Sequence, residues 1–239
     1  MLKIETHCHT FGGSICADCP ADITVKKYKD AGYNGVVITN HLSDFHFRSY
    51  PGNTDRERLD YYFNLYDVMQ KKFNSVGIKT FLGTEVAVKN DQNKNIEFIL
   101  LGFDRDLIYD NKLIYNLSIK ELFEFSEKHN LFMYQSHPFR DNVILSNPEY
   151  MHGAEAFNGH FHHYNHNDKA EAFCEKNNLI KMSGTDFHHE NQPITAGMFI
   201  DDEIDNEKAL AEFFLNNKGK MLKNVELYEK KLKEVKQCK

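Results

Sequence analysis

No stretch of this 239-residue sequence is long enough to cross a membrane, because the longest apolar run, IEFILLGF at 96–103, has only the length of a strand. The first residues, MLKIETHCHT, lack the apolar stretch of a signal peptide. A net charge of −6 argues against tight, non-specific binding to nucleic acid, although a small local basic groove stays open. With only 5 prolines and an ordinary composition, disordered and collagen-like classes are excluded. We therefore expect a globular, cytoplasmic protein.

The 5 cysteines do not form a disulfide framework, since their number is odd and their positions are scattered. They are Cys8, Cys16, Cys19, Cys174 and Cys238. Reduced thiols are therefore expected. Cys16 and Cys19 form a C-x-x-C pair, which alone is weak evidence for redox chemistry or zinc binding and leaves both open. The residue type in excess is histidine, with 13 copies, many of them in or beside strand-like segments.

Strand-like and helical segments alternate along nearly the whole sequence. Short apolar runs predict strands at 2–6, 35–39, 79–88, 97–103, 131–136, 154–158, 179–183 and 196–200. Helical spacing predicts helices at 21–31, 55–76, 118–130, 168–176 and 206–217, and a polar turn is expected at 90–95. Such repeated units predict a mostly parallel sheet, hence an α/β barrel or a doubly wound sheet. A single domain is expected over 1–239; its lysine-rich end, 218–239, would add a strand and a surface helix, with 220–239 as a peripheral tail.

Histidines and carboxylates fall at or just beyond the carboxyl ends of five predicted strands. These residues are His7, His9, His41, Glu85, His137, Asp186 and His188. In α/β barrels the carboxyl ends of the strands form the face on which sites are built. A single residue of this kind is more simply explained as a hydrogen-bonded polar group in a turn. Convergence of the whole set indicates an open metal site.

The chemistry of this set suits manganese, iron or zinc, which accept imidazole and carboxylate ligands and are selected by geometry and availability. In His7-Cys8-His9, the two-residue period of a strand turns both imidazoles to one side and Cys8 to the other. The carboxylate of Glu85 has two oxygens and is able to bridge two ions. Thiolates are nearly absent from these positions, which argues against a closed structural zinc site.

Six motifs resemble those of the PHP (polymerase and histidinol phosphatase) family and occur in that family's order. They are ETHCHT at 5–10, TNH at 39–41, GTE at 83–85, SHPFR at 136–140, EAFNG at 155–159 and SGTDFHH at 183–189. The resemblance covers residues 2 to about 200 and implies a distorted (β/α)7 TIM-like barrel with two or three divalent metal ions. It also implies hydrolysis of phosphate esters, since known members act on histidinol phosphate, nucleotide phosphates, nucleic-acid ends and phosphotyrosine.

The resemblance also implies how the ions are distributed over the ligands. The first ion would be bound by His7, His9, Glu85 and Asp186. The second ion would be held by Glu85 and His137, and the third by His41 and His188.

Two departures from the family pattern affect the second and third ions. Members with three ions usually carry a further ligand soon after the H-x-H motif, and in GGSICADCP the best candidate is Asp18, ahead of Cys16 and Cys19. Many members also have a metal-binding histidine in the strand after the G-x-E motif. IEFILLGF has none, so the second ion would depend on Glu85, His137 and water.

We expect a phosphomonoesterase in which a metal-activated hydroxide attacks phosphorus in line. Metal coordination lowers the pKa of bound water towards about 7, so no side-chain nucleophile is required. The expected catalytic residues are Arg140, Asp186 and His188. Arg140 would grip the substrate phosphate through its planar guanidinium, with a surface arginine as the alternative. His46, in the loop after the second strand, either contacts substrate or is solvated.

Further polar residues follow the EAFNG motif. Asn158 and His160 are expected to orient ligands, or alternatively to satisfy backbone groups at the end of the strand. The cluster of His162, His163 and His166 is interpreted as a helix-start surface lining the mouth, because its spacing fits no known ligand set.

A small phosphorylated molecule is the expected partner, because the acidic charge and the absence of an added nucleic-acid module argue against a nuclease acting on long chains. A phosphoesterase or exonuclease acting on a nucleotide or a nucleic-acid end stays open, since a terminal phosphate requires few backbone contacts. The intact ligand set disfavours a non-catalytic metal-binding domain. An amidohydrolase is disfavoured because no lysine occupies an obvious bridging position. Neither the metal nor the oligomeric state follows from the sequence.

Overall fold

The computed structural model describes residues 1–89, 94–111, 113–201 and 203–237. Most of the turn predicted at 90–95, and Cys238, lie outside the described residues. Among the residues that are described, no helix is both long enough and apolar enough to traverse a bilayer.

Ten strands of the described chain form one barrel-shaped sheet. They are β1 (Leu2–Cys8), β2 (Gly35–Ile38), β3 (His41–Leu42), β4 (Lys79–Lys89), β5 (Asn95–Leu101), β6 (Phe132–Gln135), β7 (Gly153–Asn158), β8 (Ile180–Gly184), β9 (Ala196–Ile200) and β10 (Lys220–Lys223). Their order is β10-β9-β1-β2-β4-β5-β6-β7-β8, with β3 paired to β4.

The sheet is parallel along β1–β2–β4 and along β6–β7–β8. It is antiparallel at β4–β5–β6 and at β1–β9–β10. The predicted distorted α/β barrel is therefore confirmed. The distortion lies at the antiparallel pairs, of which β4 and β5 form a hairpin while β5–β6 and β9–β10 are connected through helical segments.

Eight α-helices surround the sheet in the described residues. They are α1 (Ala21–Asp30), α2 (Asp44–Ser49), α3 (Asp55–Asn74), α4 (Arg105–Asp110), α5 (Ile119–Lys128), α6 (Asn167–Lys176), α7 (Glu207–Leu215) and α8 (Val225–Gln237). Short 3₁₀ helices lie at Ile114–Asn116 and Pro148–Tyr150. The predicted strands and helices are all present, with ends shifted by a few residues. The elements that were not predicted, β3, α2 and α4, are too short to display a period in the sequence.

Helix ends follow local sequence rules. Ser118 and Glu121 form the predicted capping box, in which the Ser118 side chain accepts from Glu121 N and the Glu121 side chain accepts from Ser118 N. Thr54 and Glu57 form a second capping box at the start of α3. Gly77, with a φ of +80°, follows α3 and permits the left-handed turn that ends it.

Apolar packing fixes the barrel in two main clusters. The larger cluster packs helices such as α1 and α3 against the sheet and includes Tyr28 and Phe63. The smaller cluster joins strand residues from around the sheet to Phe214 of α7. Ala211 of α7 approaches Gly102, which directly follows the antiparallel β5. Helix α7 therefore covers the end of the barrel opposite the carboxyl ends of the parallel strands, and leaves that other end free for polar side chains.

The sheet closes at a seam between β8 and β1 that has few backbone hydrogen bonds. In the described chain, β8 forms a ladder with β7 only, and one isolated bridge lies beside the seam. His9 N donates to Phe187 O at 3.0 Å, and Phe187 N donates to His7 O at 3.2 Å. The buried Glu5 carboxylate adds a side-chain tie, since its Oε1 accepts from Thr185 N at 2.8 Å. A buried side chain therefore adds to the few backbone hydrogen bonds that close the barrel.

The carboxyl-terminal part of the described chain is tied to the barrel in two ways. Strand β10 pairs with β9. Helix α8 buries Tyr228 and Leu232 against Phe157 and Phe161. The strand and helix predicted for 218–239 are present, and the helix has one apolar face because residues four positions apart share a side.

Candidate metal centre

The end of β1 places two imidazoles side by side beneath the mouth of the barrel. Strand side chains alternate, so His7 and His9 share one side of the chain while Cys8 packs into the hydrophobic core on the other. The two Nε2 atoms lie 3.0 Å apart. Both side chains are buried, so bulk water does not satisfy these nitrogens.

Two carboxylates complete a group of four converging side chains. We call this group the floor, and its members are His7, His9, Glu85 of β4 and Asp186 after β8. His7 Nε2 lies 3.4 Å from both Glu85 Oε1 and Asp186 Oδ1. His9 Nε2 lies 3.3 Å from Glu85 Oε2 and 3.4 Å from Asp186 Oδ1. Ligands about 2.0–2.1 Å from a tetrahedral ion lie about 3.3–3.4 Å from each other, so the spacing of these atoms fits one ion.

Glu85 is also the hub of further contacts. Its Oε1 lies 3.3 Å from His137 Nε2, and its Oε2 lies 2.9 Å from His41 Nδ1. Both oxygens are buried, and neither makes a hydrogen bond of acceptable geometry to any described residue. A buried carboxylate without hydrogen bonds is costly unless a cation compensates its charge. The residues present therefore fit divalent cations bound between Glu85 and the surrounding imidazoles.

Glu97 is a ligand candidate that the sequence reasoning missed. Its Oε2 lies 3.5 Å from His137 Nε2, and its Oε1 lies 3.8 Å from His41 Nδ1. The antiparallel register places Glu97 opposite Ala87, so it shares the face of β4 that carries Glu85. The strand after the G-x-E motif lacks a histidine, as noted, but it supplies the carboxylate of Glu97 instead. The available signal was a single charge inside an otherwise apolar strand.

A row of four neighbouring imidazole rings crosses the centre. The ring centroids lie 4.2 Å apart for His188 and His9, 4.4 Å for His9 and His41, and 4.4 Å for His41 and His46. Ligand atoms of His9, His41 and His188 lie within 4.8 Å of one another. The structure therefore brings His41 and His188 together, as expected for a third ion.

Asp18 is not brought to the centre. Its side chain is 71% exposed, and its Oδ1 lies 3.0 Å from His189 Nδ1. The backbone N–H groups of Asp18 and Cys19 both donate to the His188 carbonyl, which holds this loop with the Asp18 carboxylate directed outward. The weaker sequence candidate, Cys16, lies closer, with its Sγ within 4.8 Å of a ring nitrogen of His41. The structure thus replaces Asp18 by Cys16 beside the third grouping.

The charges of the centre explain its protonation in the absence of a cation. Burial lowers the pKa of His7, but the carboxylates of Glu155, Asp186 and Glu85 outweigh burial and raise that pKa well above its ordinary value. Burial raises the pKa of Glu85 and Asp186, but His7 and other cations outweigh it and hold both pKa values well below the ordinary range. Burial and a neighbouring imidazole lower the pKa of His188 to about 4, so this ring is a neutral donor at physiological pH.

Buried partners orient the ligating rings from behind. Glu155 Oε1 lies 2.8 Å from His7 Nδ1, and Glu155 Oε2 accepts from His137 N at 2.8 Å. Ser14 Oγ lies 2.9 Å from His9 Nδ1. A partner on the outer nitrogen of an imidazole fixes its tautomer and its orientation, and leaves the other nitrogen for an ion.

Arg140 reaches the centre, and the surface alternative for this residue is wrong. Its side chain is 13% exposed, and its Nη2 donates to Asp186 and, at 3.0 Å, to Asn158 Oδ1. Its Nε donates to Asn165 Oδ1 at 2.8 Å. Its Nη1 makes no hydrogen bond within the part of the chain that the structure describes. Arg140 therefore has Nη2 and Nε engaged with neighbouring side chains, while Nη1 is left to bind a further partner.

No protein-family model matches the chain, and no curated protein matches it. Several solved structures do match the chain in fold. A two-domain protein of Bacteroides vulgatus containing a predicted PHP-like metal-dependent phosphoesterase superposes with a TM-score of 0.65 at 18% identity, over 98% of this chain and 69% of that one. A proposed metal-dependent phosphoesterase of Bifidobacterium adolescentis gives 0.55 at 12%, over 90% and 96%. A lesion-specific endonuclease of Pyrococcus furiosus gives 0.57 at 14%, over 92% and 57%.

The chain shares their fold. The PHP-type barrel expected from the six motifs is thereby confirmed as a fold. Identities of 12–18% do not carry chemistry from one protein to another, because one fold hosts many functions. The function of this PHP-type barrel has to be inferred from its own side chains.

The PHP-type barrel holds two of its candidate ligands in the left-handed backbone region. The φ angles are +31° at His137 and +53° at Asp186. Such conformations cost about 1–3 kcal/mol for residues other than glycine, with aspartate among the more tolerant. Buried side chains hold both peptides, since Glu155 accepts from His137 N and Gln192 Nε2 donates to Asp186 O at 2.9 Å. Strain that is held in this way is typical of functional sites.

Further histidines line the mouth of the PHP-type barrel. The pocket above the floor has a volume of about 270 Å³, and its walls include His160, His162 and His163. His160 is buried, and its Nδ1 has no hydrogen-bond partner among the described residues. His166 lies elsewhere, 3.1 Å from an aspartate oxygen. Of the cluster predicted to line the mouth, His162 and His163 do so and His166 does not.

Proposed function

We propose that this chain is a PHP-type, metal-dependent phosphoesterase. The observation that carries the proposal is the buried carboxylate of Glu85, which makes no hydrogen bond to the described residues and is surrounded by four imidazoles. Nitrogen and oxygen donors at the bottom of an accessible pocket suit catalytic ions better than structural ones. The two similar proteins described as metal-dependent phosphoesterases support the same reaction class.

Three groups of converging donors define where the ions would bind. The first is the floor, the second is Glu85, Glu97 and His137, and the third is His41 and His188 beside His9. Divalent ions in such sites lower the pKa of water towards about 7 and polarise phosphoryl oxygens. Imidazole and carboxylate donors accept manganese, iron or zinc.

The chain's own residues would bind and orient the phosphate. Arg140 offers its unengaged Nη1 to a phosphate oxygen, and guanidinium matches phosphate in charge and planar geometry. Asn158 and Asn165 fix the plane of that guanidinium. Burial lowers the pKa of His160, so this ring stays neutral at the mouth and is able to exchange hydrogen bonds with a substrate.

We infer that the substrate is a small phosphorylated molecule. The pocket volume of about 270 Å³ is small, and Arg140 is the one arginine or lysine among its described walls. The net charge of −6 opposes tight binding of a long polyanion. The second candidate is a nucleotide or a nucleic-acid end, which the likeness to a lesion-specific endonuclease favours. Such a substrate presents one phosphate to the site and requires few further contacts.

The test is phosphate release from a panel of phosphomonoesters, nucleotides and short 5′-phosphorylated oligonucleotides, each with manganese, iron, zinc or a chelator. We expect chelator-sensitive release, with small monoesters preferred. Preference for the oligonucleotides would favour the second candidate. The panel also contains amide substrates, and hydrolysis of these without release of phosphate would contradict the proposal. The same holds for an absence of release from folded protein that is shown to contain metal.

A further inference from the structure

A cluster at the rim of the mouth combines a thiol with two imidazoles. We call it the rim cluster, and its members are Cys16, His41 and His46. Each offers one ligand atom, and these atoms lie within 4.8 Å of one another. The His41 ring lies against that of His46 at a centroid distance of 4.4 Å and an angle of 22°. The three residues come from separate segments, namely the loop after β1, strand β3 and helix α2.

The cysteine-bearing loop is tied firmly to the strand that carries His41. Ser14 Oγ accepts from His41 N at 3.1 Å. The Tyr50 hydroxyl lies 2.6 Å from Gly13 O and 3.1 Å from His41 O. Gly13 approaches Asn40 so closely that a Cβ atom would lie 2.1 Å from Asn40 Nδ2. These contacts involve buried groups, so the approach of the loop to β3 is built into the fold.

His46 is oriented by the cap of its own helix. Ser43 Oγ accepts from His46 N at 3.3 Å and lies 2.9 Å from His46 Nδ1. In the described chain Nε2 of this ring makes no hydrogen bond, and an imidazole held at one nitrogen presents the other as a ligand. His41 is 8% exposed, and its Nδ1 has no hydrogen-bond partner among the described residues. Both rings are thus positioned as donors before any ion binds.

We propose that the rim cluster binds a divalent cation through the Cys16 thiolate and the imidazoles of His41 and His46, with zinc-like ions preferred over manganese and magnesium. Thiolate and imidazole are softer donors than the carboxylates of the floor. On binding, a bond forms between the cation and sulfur, and the thiol proton passes to solvent. Cys16 is exposed, so a fourth position stays accessible to water or substrate. The rim cluster shares His41 with the proposed centre but does not require phosphate-ester hydrolysis.

Cobalt titration of the full, metal-free chain tests this site. Cobalt(II) bound to a thiolate absorbs in the near ultraviolet through sulfur-to-metal charge transfer, whereas cobalt held by imidazole and carboxylate alone lacks this band. We expect the band in the wild-type protein, its removal by zinc, and its persistence in excess magnesium. Cys16→Ser should lose it. The matched control, Cys19→Ser, alters a buried thiol three positions along and should keep it. His46→Gln should weaken the cobalt binding that gives the band about tenfold or more.

A band that persists in Cys16→Ser would overturn the proposal. So would a wild-type protein that binds cobalt in equilibrium dialysis without developing the band, or a band lost in Cys19→Ser and kept in Cys16→Ser. Circular dichroism verifies that the variants are folded, which is expected because Cys16 is exposed. If the substrate panel releases no phosphate while the band behaves as expected, the proposed function fails and the rim site stands.

Discussion

The floor and the rim cluster both contain imidazole donors, but different residues and different elements supply them. Floor residues lie in or directly after strands of the sheet, and every one of them is buried. The facing atoms of this group lie 3.0–3.4 Å from a neighbour. Rim donors come from a loop, the two-residue strand β3 and a six-residue helix. The floor donors are enclosed by buried strand ends, whereas the rim cluster includes the exposed Cys16. We therefore expect retained ions at the floor and an exchangeable ion at the rim.

The largest expected effect comes from Asp186→Asn, which removes one floor charge without changing the size of the side chain. Asp186 contacts His7, His9 and Arg140, so we expect phosphate release to fall roughly a thousandfold or more, with one retained ion lost. Steady-state phosphate release and metal analysis of the purified protein measure the two effects. Asp205→Asn, at an exposed position, is the matched control. Equal losses in both variants would contradict a special role for the floor.

Glu97→Gln tests the boundary between the two regions. Glu97 lies on a strand and in this respect resembles the floor residues. Its side chain is 29% exposed, and in this respect it resembles the rim cluster, which includes the exposed Cys16. We expect about 10–100-fold weaker binding of a second ion and retention of the first, measured by competition with a chromogenic chelator. The exposed Glu149→Gln is the control. Loss of every bound ion would indicate that Glu97 is needed for the first ion as well as the second. Unchanged binding would show that Glu97 is not a ligand.

The pH dependence of stability distinguishes the charged metal centre, including His7 of the floor and the neighbouring His41, from the rest of the molecule. In metal-free protein the pKa of His7 and of His41 lies well above the ordinary value of 6.5, because nearby carboxylates outweigh burial. The folded state then keeps protons that the unfolded state has lost. This stabilisation is complete below pH 6.5 and is lost as the pH rises through the raised pKa values, at about 1.4 kcal/mol per pH unit for each proton.

Denaturant unfolding across this range, with a chelator or with excess manganese, measures the effect. We expect the free energy of unfolding to fall with rising pH in the chelator and to stay flatter with manganese, because the cation takes over the role of the protons. Equal slopes under the two conditions would argue against a cation at the floor.

The smallest expected effect is that of Asp18→Asn. The residue was the best sequence candidate for a third-ion ligand, but its carboxylate is directed outward. We expect less than about a twofold change in phosphate release and unchanged cobalt absorption, as for other exposed substitutions. A loss approaching that of Asp186→Asn would restore Asp18 to the ligand set.

The floor could be predicted from the sequence because strand geometry is regular. Alternation places His7 and His9 on one side of β1, and the carboxyl ends of parallel strands meet at one face, so residues far apart in the chain were expected to converge. Glu97 was missed because it enters through an antiparallel strand. The histidine expected at that position is absent, and only the register of β4 and β5 reveals the carboxylate.

The rim could not be predicted in the same way. Asp18 and Cys16 are two positions apart in one loop, and the choice between them depends on two backbone hydrogen bonds to the His188 carbonyl. Helix α2 has six residues, fewer than two turns, so its sequence carries no readable period. The role of Arg140 was expected, but its hydrogen bond to Asp186 was not, because no spacing rule relates residues on different strands.

Because the floor spans the seam between β8 and β1, an ion bound there would also affect how the barrel is closed. His7 and Asp186 lie on opposite sides of that seam and are 179 positions apart in the chain (186 − 7). An ion bound by both side chains would cross-link two distant parts of the chain and close a very long loop, as a disulfide does. Without the ion the seam would keep only its few hydrogen bonds, and opening it would expose β8 as an edge strand that pairs readily with other strands. We therefore expect the metal-free protein to open at this seam more readily than the metal-bound protein.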